Sequence, residues 1–346
     1  MIFLRLLEVS EGSERVVVYF VTNRGGSKWS DLERLDRDGV SVDEIQDRLR
    51  TGVDTWIIQT FLILKDQLRA RGFDARFSRQ FVPDALCIAH RDDLRVNAWL
   101  HRSYVVAVRA DRPPVYACQK VIVQNRTLAR ETGAYYLPFW PQPGLIRRED
   151  ARGARLSRLA YFGRSNYLPP EFLSDRFRDD LARRGVEFVV RDRGWNDYSD
   201  IDAVVAIRKE PPAVLRTKPA SKLINAWHAG VPALLGSEPA YDEVRHGPLD
   251  YMEVSSPESV LAAVDCLQAN PRLYGKMIQN GRIRAQEFSR EAIAALWMEF
   301  ITKTAVASYR DWLRWNLKGR NPIRFSSILV RFALQWIANQ LFGPRK

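Results

Sequence analysis

Residues 218–235, KPASKLINAWHAGVPALL, contain the side chains best suited to hold an anion. Lys218, Ser221 and Lys222 stand where a helical pattern begins, and Gly230 stands where it ends. The free N–H groups and positive dipole end of a helix N-terminus favour a phosphate. The two ammonium groups and the hydroxyl add side-chain donors there. We therefore predict a phosphate-binding site at the start of this helix.

Two other residues of the stretch belong to the same prediction. Pro219 suits the first turn of a helix, because the N–H group that proline lacks would have no partner within the helix there. Asn225 lies further along the helix and can both donate and accept a hydrogen bond. The alternative is an ordinary helix with a solvated lysine face and a glycine stop.

Arginines follow two other apolar runs in the second half of the chain. Arg164 ends the segment YFGR, where Gly163 lets the backbone approach a ligand closely. Arg208 and Lys209 follow the run AVVAI. A guanidinium group pairs with two phosphate oxygens at once, so arginines at strand ends are suited to an anion, although any one arginine is more often a surface residue.

The composition suits a folded protein with an anionic partner. The chain has 346 residues, enough for two domains, and its net charge is +12 from 53 Lys+Arg and 41 Asp+Glu. The three cysteines, at 87, 118 and 266, have no paired spacing, which argues against a disulfide framework and favours a reducing cytosol. We expect no signal peptide, because the apolar start is short and interrupted, and no transmembrane helix, because no apolar run reaches 18 residues.

Strand-like and helix-like segments alternate along most of the chain, which predicts an α/β fold of parallel sheets. Ligands of such sheets bind beyond the carboxyl ends of the strands. The predicted strands lie within residues 15–26, 84–90, 103–111, 120–125, 158–166, 186–194, 200–212, 232–236 and 250–254. Helices are predicted at 52–72, 170–184, 218–230, from 257 and at 271–288.

A segment with three prolines and a glycine, residues 135–150, interrupts the alternation and marks an interdomain connection. We predict an N-terminal Rossmann-like domain at 1–140, a second Rossmann-like domain at 141–300, and a basic amphipathic helical segment at 301–346. The two doubly wound domains are expected to face each other across a cleft.

Two such domains, a proline-rich hinge and a C-terminal helix resemble the GT-B glycosyltransferases. In the large retaining family with that fold, the donor helix reads Glu, seven residues, Glu, then Ala-x-x-x-Gly-x-Pro. The sequence NAWHAGVP is similar to the second half of this motif, with Asn225 at the second Glu and Gly230 in register. Thr217 stands at the first Glu, so both motif acids are replaced. The resemblance implies that Asn225 contacts the donor's ribose.

The resemblance implies a donor domain at 141–300 that binds a nucleotide-diphosphate sugar through Arg164, Arg208, Lys218, Ser221, Lys222 and Asn225. It also implies an acceptor-side N-terminal domain that supplies a general base if the reaction inverts configuration. Our candidates are Asp54 at a helix start, His90 at a strand end and Asp111 after the next strand. Each has a structural alternative: Asp54 as a helix cap, His90 as a loop histidine, Asp111 as a turn former.

Metal use is not expected. The segments DRD (36–38) and DID (200–202) fit the Asp-x-Asp pattern of the other glycosyltransferase architecture, but one lies in a charged loop and the other precedes a buried strand. The four histidines, at 90, 101, 228 and 246, show no metal-binding spacing. We predict a metal-independent enzyme of the hexosyltransferase type with no cofactor.

The C-terminal segment is rich in cations and aromatic residues. A helical face of Phe325, Ile328, Leu329, Phe332 and Trp336 is predicted, with Arg324, Arg331, Gln335 and Asn339 away from it. We expect residues 290–318 to pack back on the N-terminal domain. For residues 320–346 two roles stay open: packing on the protein, or peripheral contact with an anionic membrane at the inner face.

The leading interpretation is a cytoplasmic glycosyltransferase that moves a sugar from a nucleotide-diphosphate sugar to a glycan or lipid-linked acceptor, in polysaccharide or glycolipid synthesis. A nucleotide-sugar epimerase on the same fold stays open, although the replaced motif acids disfavour it. A catalytically inactive protein that keeps the fold stays open too. A nucleic-acid-binding protein suits the charge, but we expect no nucleic-acid partner because no nucleic-acid motif appears.

Overall fold

The computed structural model describes residues 15–23, 26–94, 100–317 and 322–342. The first half of the chain forms a six-stranded, all-parallel sheet with strand order β2-β1-β3-β4-β5-β6. Its strands are β1 (Val17–Val21), β2 (Asp74–Ser78), β3 (Leu86–His90), β4 (Tyr104–Val108), β5 (Lys120–Val123) and β6 (Tyr135–Tyr136).

The second half forms a separate five-stranded parallel sheet with strand order β11-β10-β9-β7-β8. Its strands are β7 (Arg158–Phe162), β8 (Glu187–Arg191), β9 (Ala203–Ala206), β10 (Ala233–Leu235) and β11 (Met252–Glu253). The predicted α/β fold with two doubly wound sheets is therefore confirmed.

Helices cover both sheets. The helices are α1 (Leu32–Arg37), α2 (Thr60–Ala70), α3 (Arg126–Thr132), α4 (Asp175–Ala182), α5 (Pro212–Leu215), α6 (Ser221–Ala229), α7 (Pro239–Val244), α8 (Pro257–Ala269), α9 (Pro271–Glu287), α10 (Arg290–Glu299), α11 (Val306–Leu317) and α12 (Pro322–Phe342). A π-helical turn, Asp54–Gln59, leads directly into α2, and another, Phe300–Ala305, joins α10 to α11.

Alternation along the strands gives each sheet two buried faces, as parallel sheets require. In β1, Val18 and Phe20 point into one apolar cluster while Val21 belongs to another. The cluster that holds Val18 also contains residues of the second sheet, such as Ala160. One continuous core therefore joins the inner faces of the two sheets.

The chain crosses between the sheets twice, and both crossings meet at Asp43. The first crossing is the proline-rich connection, where the Gly144 N–H donates to Asp43 Oδ1 over 2.7 Å. The second leads into α10, where Arg290 Nη2 lies 2.7 Å from the same oxygen. One carboxylate of the first layer thus binds both connections.

The C-terminal helices return to the first sheet, as predicted for residues 290–318. Trp297 of α10 packs near Trp56 with ring centroids 6.4 Å apart, and Tyr309 Oη donates to the Asp84 carbonyl oxygen over 2.7 Å. Helix α10 falls in the range 141–300 predicted for the second domain, yet it packs against α2 of the first. Helices α10 and α11 are continuous, because the π-helical turn between them carries the helix on without a break.

Helix α12 packs on the protein through a polar stripe. Gln335 accepts from the Tyr116 N–H and donates to the Pro114 carbonyl oxygen, and Arg331 Nη1 donates to the Cys118 carbonyl oxygen. We predicted Gln335 and Arg331 to lie away from the apolar face of this helix, and it is this polar side that contacts the protein. Six apolar side chains of α12 are exposed instead: Leu329, Val330, Leu334, Trp336, Ile337 and Leu341.

Two side chains of the predicted apolar face, those of Phe325 and Ile328, and two predicted to lie away from it, those of Arg324 and Asn339, fall outside the described residues, as do residues 318–321 and 343–346. Within the ranges that the structure describes, no helix combines the length and the apolar character needed to cross a membrane.

Candidate functional site

A cleft of about 580 Å³ lies between the carboxyl ends of the two sheets. Both halves of the chain contribute to its walls. Eight of the nine predicted site residues lie in it: His90, Asp111, Arg164, Arg208, Lys218, Ser221, Lys222 and Asn225. Asp54 is not among the residues that line it.

The N-terminus of α6 opens into this cleft. Ala220 is the N-cap residue, and because alanine has no side-chain acceptor, the first N–H groups of the helix have no side-chain cap. Ser221 and Lys222, the first two residues of the helix, both line the cleft. Uncapped N–H groups, a hydroxyl and an ammonium group at one helix end form a suitable anion site.

The helix starts at Ser221, three residues later than the predicted start at 218, so Pro219 precedes it. The reason lies in the first domain, whose amides hold the preceding carbonyl oxygens outside the helix. Gln124 Nε2 donates to the Thr217 carbonyl oxygen, and Asn125 Nδ2 donates to that of Arg216, each over 2.7 Å. These bonds also fasten the start of α6 to the first sheet.

Lys222 lines the cleft and contacts the carboxyl end of β7. Its ammonium group donates to the Phe162 carbonyl oxygen and lies 4.7 Å from the centroid of the Tyr161 ring. Burial, together with the neighbouring charge of Arg208, lowers the pKa of Lys222 to about 7. An anion bound beside it would favour the charged form of this lysine.

Lys218 forms an ion pair across the cleft. Its Nζ atom lies 3.0 Å from Oδ2 of Asp111 in the first domain and 4.0 Å from Oε1 of Glu210. Burial alone would raise the pKa of Asp111, but the Lys218 and Arg112 charges hold it below its ordinary value. Asp111 is therefore an ionised carboxylate at neutral pH.

Arg208 is largely enclosed and forms an ion pair with Glu238, a residue that sequence analysis missed. Glu238 follows β10 at the same edge of the sheet and is almost fully buried. Burial raises the pKa of Glu238 to about 7, although Arg208 and Lys222 oppose the shift. An acid three or four residues after a strand is a weak signal, which explains why Glu238 and Glu210 escaped notice.

Arg164 lies at the rim of the cleft. Its guanidinium group is exposed and forms no hydrogen bond or ion pair with any residue that the structure describes. The preceding Gly163 has φ +154°, and a Cβ there would lie 2.9 Å from the hydroxyl oxygen of Tyr161. Glycine is therefore required for the strand end to pass over this ring.

Asn225 lies in the cleft wall, where its Oδ1 accepts from the Gln142 N–H over 3.1 Å. Gln142 belongs to the first connection between the domains. Asn225 thus holds this connection against α6, and its side-chain oxygen is already engaged.

His90 ends β3 and is buried at the cleft wall. Its Nδ1 accepts from the Asp92 N–H over 3.2 Å, so in the neutral ring the proton resides on Nε2. A Cβ at Gly52 would lie 3.2 Å from that Nε2, which shows how closely the helix start packs on the imidazole.

Asp54 is buried outside the cleft with both carboxylate oxygens engaged. Oδ2 binds Lys28 Nζ over 2.5 Å and the Thr51 N–H over 2.9 Å, and Oδ1 accepts from Trp29 Nε1 over 2.8 Å. Burial would raise the pKa of Asp54, but these bonds hold it below its ordinary value. Such a carboxylate anchors a helix start and two neighbouring side chains, which is the structural alternative considered for Asp54.

The two Asp-x-Asp segments form ion pairs with lysine and arginine side chains. Asp36 binds Lys65 and Arg69, and Asp202 is fully buried between Arg148 and Arg152. Across the described part of the chain, no three His, Cys, Asp or Glu side chains are arranged to hold a metal ion.

Two parallel α/β layers that face each other across a cleft, with C-terminal helices returning to the first layer, define the GT-B fold. The chain matches no protein-family model and no curated protein. Similar solved structures include sucrose-phosphate synthase from Thermosynechococcus elongatus, which is 13% identical with a TM-score of 0.51 over 85% of this chain and 100% of that chain.

A second similar structure is that of HepE from Anabaena in complex with UDP-glucose. It is 11% identical with a TM-score of 0.50, over 84% of this chain and 100% of that chain. At such low identity these similarities establish the fold, so the chemistry must be argued from the residues of the cleft.

Proposed function

We propose that this protein is a glycosyltransferase that uses a nucleotide-diphosphate sugar. The observation that carries the proposal is the meeting of Lys218, Lys222 and the uncapped N-terminus of α6 in one interdomain cleft. The structure of HepE, which shares the fold, contains UDP-glucose. The acceptor in our proposal is a glycan or a lipid-linked glycan of polysaccharide or glycolipid synthesis.

Fixed positive charge would supply the catalysis. When the sugar leaves the nucleotide, negative charge grows on the diphosphate, and preorganised donors stabilise that charge without having to reorganise. Lys218, Lys222, Arg164 and the α6 N–H groups are the proposed donors. We propose that they act without a metal ion, on a hexosyl donor.

We propose Asp111 as the group that takes the acceptor's proton. Its carboxylate is ionised and faces the cleft, whereas Asp54 is enclosed by its own hydrogen bonds. His90 lines the cleft, but its Nδ1 already accepts a hydrogen bond. Asp111 is also paired with Lys218, so a donor phosphate that takes Lys218 would release Asp111 to act as a base.

We further propose that the protein works in the cytoplasm, in peripheral contact with an anionic membrane through α12. Three free cysteines suit a reducing compartment. The exposed apolar side chains of α12 suit the interfacial layer of a membrane, and the segment around them is basic. Trp336→Glu should reduce sedimentation with phosphatidylglycerol vesicles, whereas Trp315→Ala, which alters an exposed tryptophan of α11, should leave it unchanged. Equal sedimentation of both variants would contradict membrane contact.

The test of the main proposal is nucleotide binding followed by turnover. A thermal-shift series with nucleoside diphosphates and their sugars should identify at least one stabilising ligand. Hydrolysis or transfer of that sugar should then fall by about 10²-fold or more in Asp111→Asn, with nucleotide binding retained. Asp54→Asn should instead lower the melting temperature. The absence of stabilisation by any nucleotide in the series would contradict the proposal.

A further inference from the structure

A second cavity of about 520 Å³ opens beside the cleft. It lies between residues 46–50 of the first domain and residues 192–196, the loop that follows β8 in the second. The two cavities are continuous, because five residues line both: Leu49, Arg50, Gln142, Arg164 and Trp195. A molecule in the second cavity would therefore reach whatever the cleft holds.

Trp195 gives this second cavity an exposed aromatic surface, with 41% of the residue accessible. The loop that carries it is tied to the interdomain connection on both sides. Asn196 Nδ2 donates to the Gly144 carbonyl oxygen over 2.9 Å, and the Ile146 N–H donates to the Asn196 carbonyl oxygen over 2.8 Å. The indole is thus presented by an anchored loop, so a ligand that packs on it need not order the backbone.

Three arginines line the same cavity as this indole. Arg50, Arg164 and Arg193 line the cavity and are all exposed, against the carboxylates of Asp47 and Asp192. The guanidinium groups of Arg164 and Arg193 form no hydrogen bond or ion pair with any part of the chain that the structure describes. Guanidinium groups that no protein acid occupies can bind a carboxylate or phosphate through two parallel hydrogen bonds.

These features select a class of ligand. One face of a pyranose ring presents C–H groups, which pack on a flat indole, while its hydroxyl groups bond to polar side chains at the edge. Gln142 and Asn196 supply such polar groups in this cavity. A neutral sugar would use the indole, the amides and the arginine N–H groups, but it would leave the positive charges of the arginines unpaired.

We propose that the second cavity binds the acceptor, and that this acceptor is a glycan whose sugars carry carboxylate or phosphate groups. The acceptor role rests on the proposed function, in which the donor occupies the α6 end of the cleft. The residues shared by the two cavities then mark where donor sugar and acceptor meet. Arg164 lies at this junction and contacts both substrates.

Titration calorimetry on the full chain tests the ligand class. Two acidic probes, tetragalacturonate and mannose 6-phosphate, are compared with their neutral counterparts, maltotetraose and mannose. At least one acidic probe should bind about fivefold or more tightly than its neutral counterpart. If only tetragalacturonate binds, the ligand carries carboxylate groups. If only mannose 6-phosphate binds, the ligand carries phosphate groups.

Variants locate the binding. Trp195→Ala and Arg193→Ala should each weaken the acidic probe about tenfold. The matched controls, Trp315→Ala and Arg176→Ala, replace exposed residues that line neither cavity and should change the dissociation constant by less than about twofold. Failure of both acidic probes to bind at about 5 mM, equal binding of the neutral counterparts, or unchanged binding in both cavity variants would overturn the proposal.

The same experiment separates this inference from the proposed function. If nucleotide sugars bind and acidic glycans do not, the acceptor assignment fails by itself. If acidic glycans bind through Trp195 and no nucleotide binds, the ligand assignment stands while the transferase proposal and the acceptor role fail. Lys218→Ala should weaken nucleotide binding by about tenfold or more and leave the affinity for the acidic glycan unchanged.

Discussion

Lys218 Nζ lies 3.0 Å from Asp111 Oδ2, and this ion pair joins the second domain to the first across the cleft. The lysine that we assign to the donor phosphate is therefore already paired with an acid. A phosphate that binds Lys218 competes with Asp111 for the ammonium group. We therefore propose that donor binding weakens this ion pair and helps to release the proposed base.

Lys218→Ala should weaken nucleoside-diphosphate binding by about tenfold or more, because it removes a charged donor from the phosphates. The loss of ligand-induced stabilisation in a thermal-shift titration measures this effect. Lys209→Ala is the control, since Lys209 follows the same strand as Arg208 but is exposed and does not line the cleft. Similar losses in both variants would point to a general charge effect instead of a site.

The affinity for UDP should fall as pH rises above 7. Lys222 has a pKa near 7 in the free protein, so above that pH the phosphate must bind a lysine that has lost its proton. Because one lysine titrates, the affinity for UDP can fall by at most about tenfold for each pH unit above 7. Calorimetry between pH 7 and 9 measures the slope, and Lys222→Arg, which stays charged, should remove it. A flat profile in the wild-type protein would exclude Lys222 from the phosphate site.

Gly163→Ala should disturb the cleft through Tyr161. An added Cβ would lie 2.9 Å from the tyrosine hydroxyl, and the positive φ adds strain of about 1 kcal/mol or more. We expect lower stability and weaker nucleotide binding. Gly185→Ala is a matched control, because its φ of +69° carries the strain but nothing lies within 4 Å. It should lose stability in a urea titration and keep its nucleotide affinity.

Asp202→Asn should destabilise the second domain by about 3 kcal/mol, because it leaves buried Arg148 without its acid. The pKa of Asp202 is about 2, below its ordinary 3.8, through hydrogen bonds from Arg152, Ser157 and Arg148 that outweigh burial. The native state therefore gains stability from this group above pH 3.8, about 2 kcal/mol, and loses it as pH falls toward 2.

Urea unfolding at a series of pH values checks both effects. The acid-induced loss attributed to Asp202 should be missing in Asp202→Asn. Asp200→Asn, two residues earlier, alters a partly exposed ion pair and should cost under about 1 kcal/mol. Equal losses of unfolding free energy in the two variants would contradict a larger contribution from the buried carboxylate of Asp202.

The sequence was sufficient to predict most of the buried strands. Their Val- and Ile-rich runs are short and end in polar residues, a pattern that few other elements share. This pattern placed β3, β4, β7 and β9. Strand β2, Asp74–Ser78, was missed because its two charged residues hide the alternation. It is an edge strand, half exposed, so burial imposes little pattern on it.

The arrangement of the cleft was harder to predict from the sequence. Cations at strand ends could be recognised, because parallel topology brings those ends to one edge. Their partners could not, since Asp111 and Lys218 or Arg208 and Glu238 meet only after folding. Trp195 carried no sequence signal, because exposure of an aromatic side chain is a property of the folded loop. The start of α6 was misplaced because Gln124 and Asn125, from the other domain, decide it.

The clamp that Asp43 forms on both interdomain connections limits how the two lobes can move. The Gly144 N–H and the Arg290 guanidinium group share this carboxylate, so a displacement of one connection would disturb the other as well. The two chain segments that pass between the lobes are therefore coupled through a single acidic side chain, and any motion of the lobes has to strain or break these hydrogen bonds.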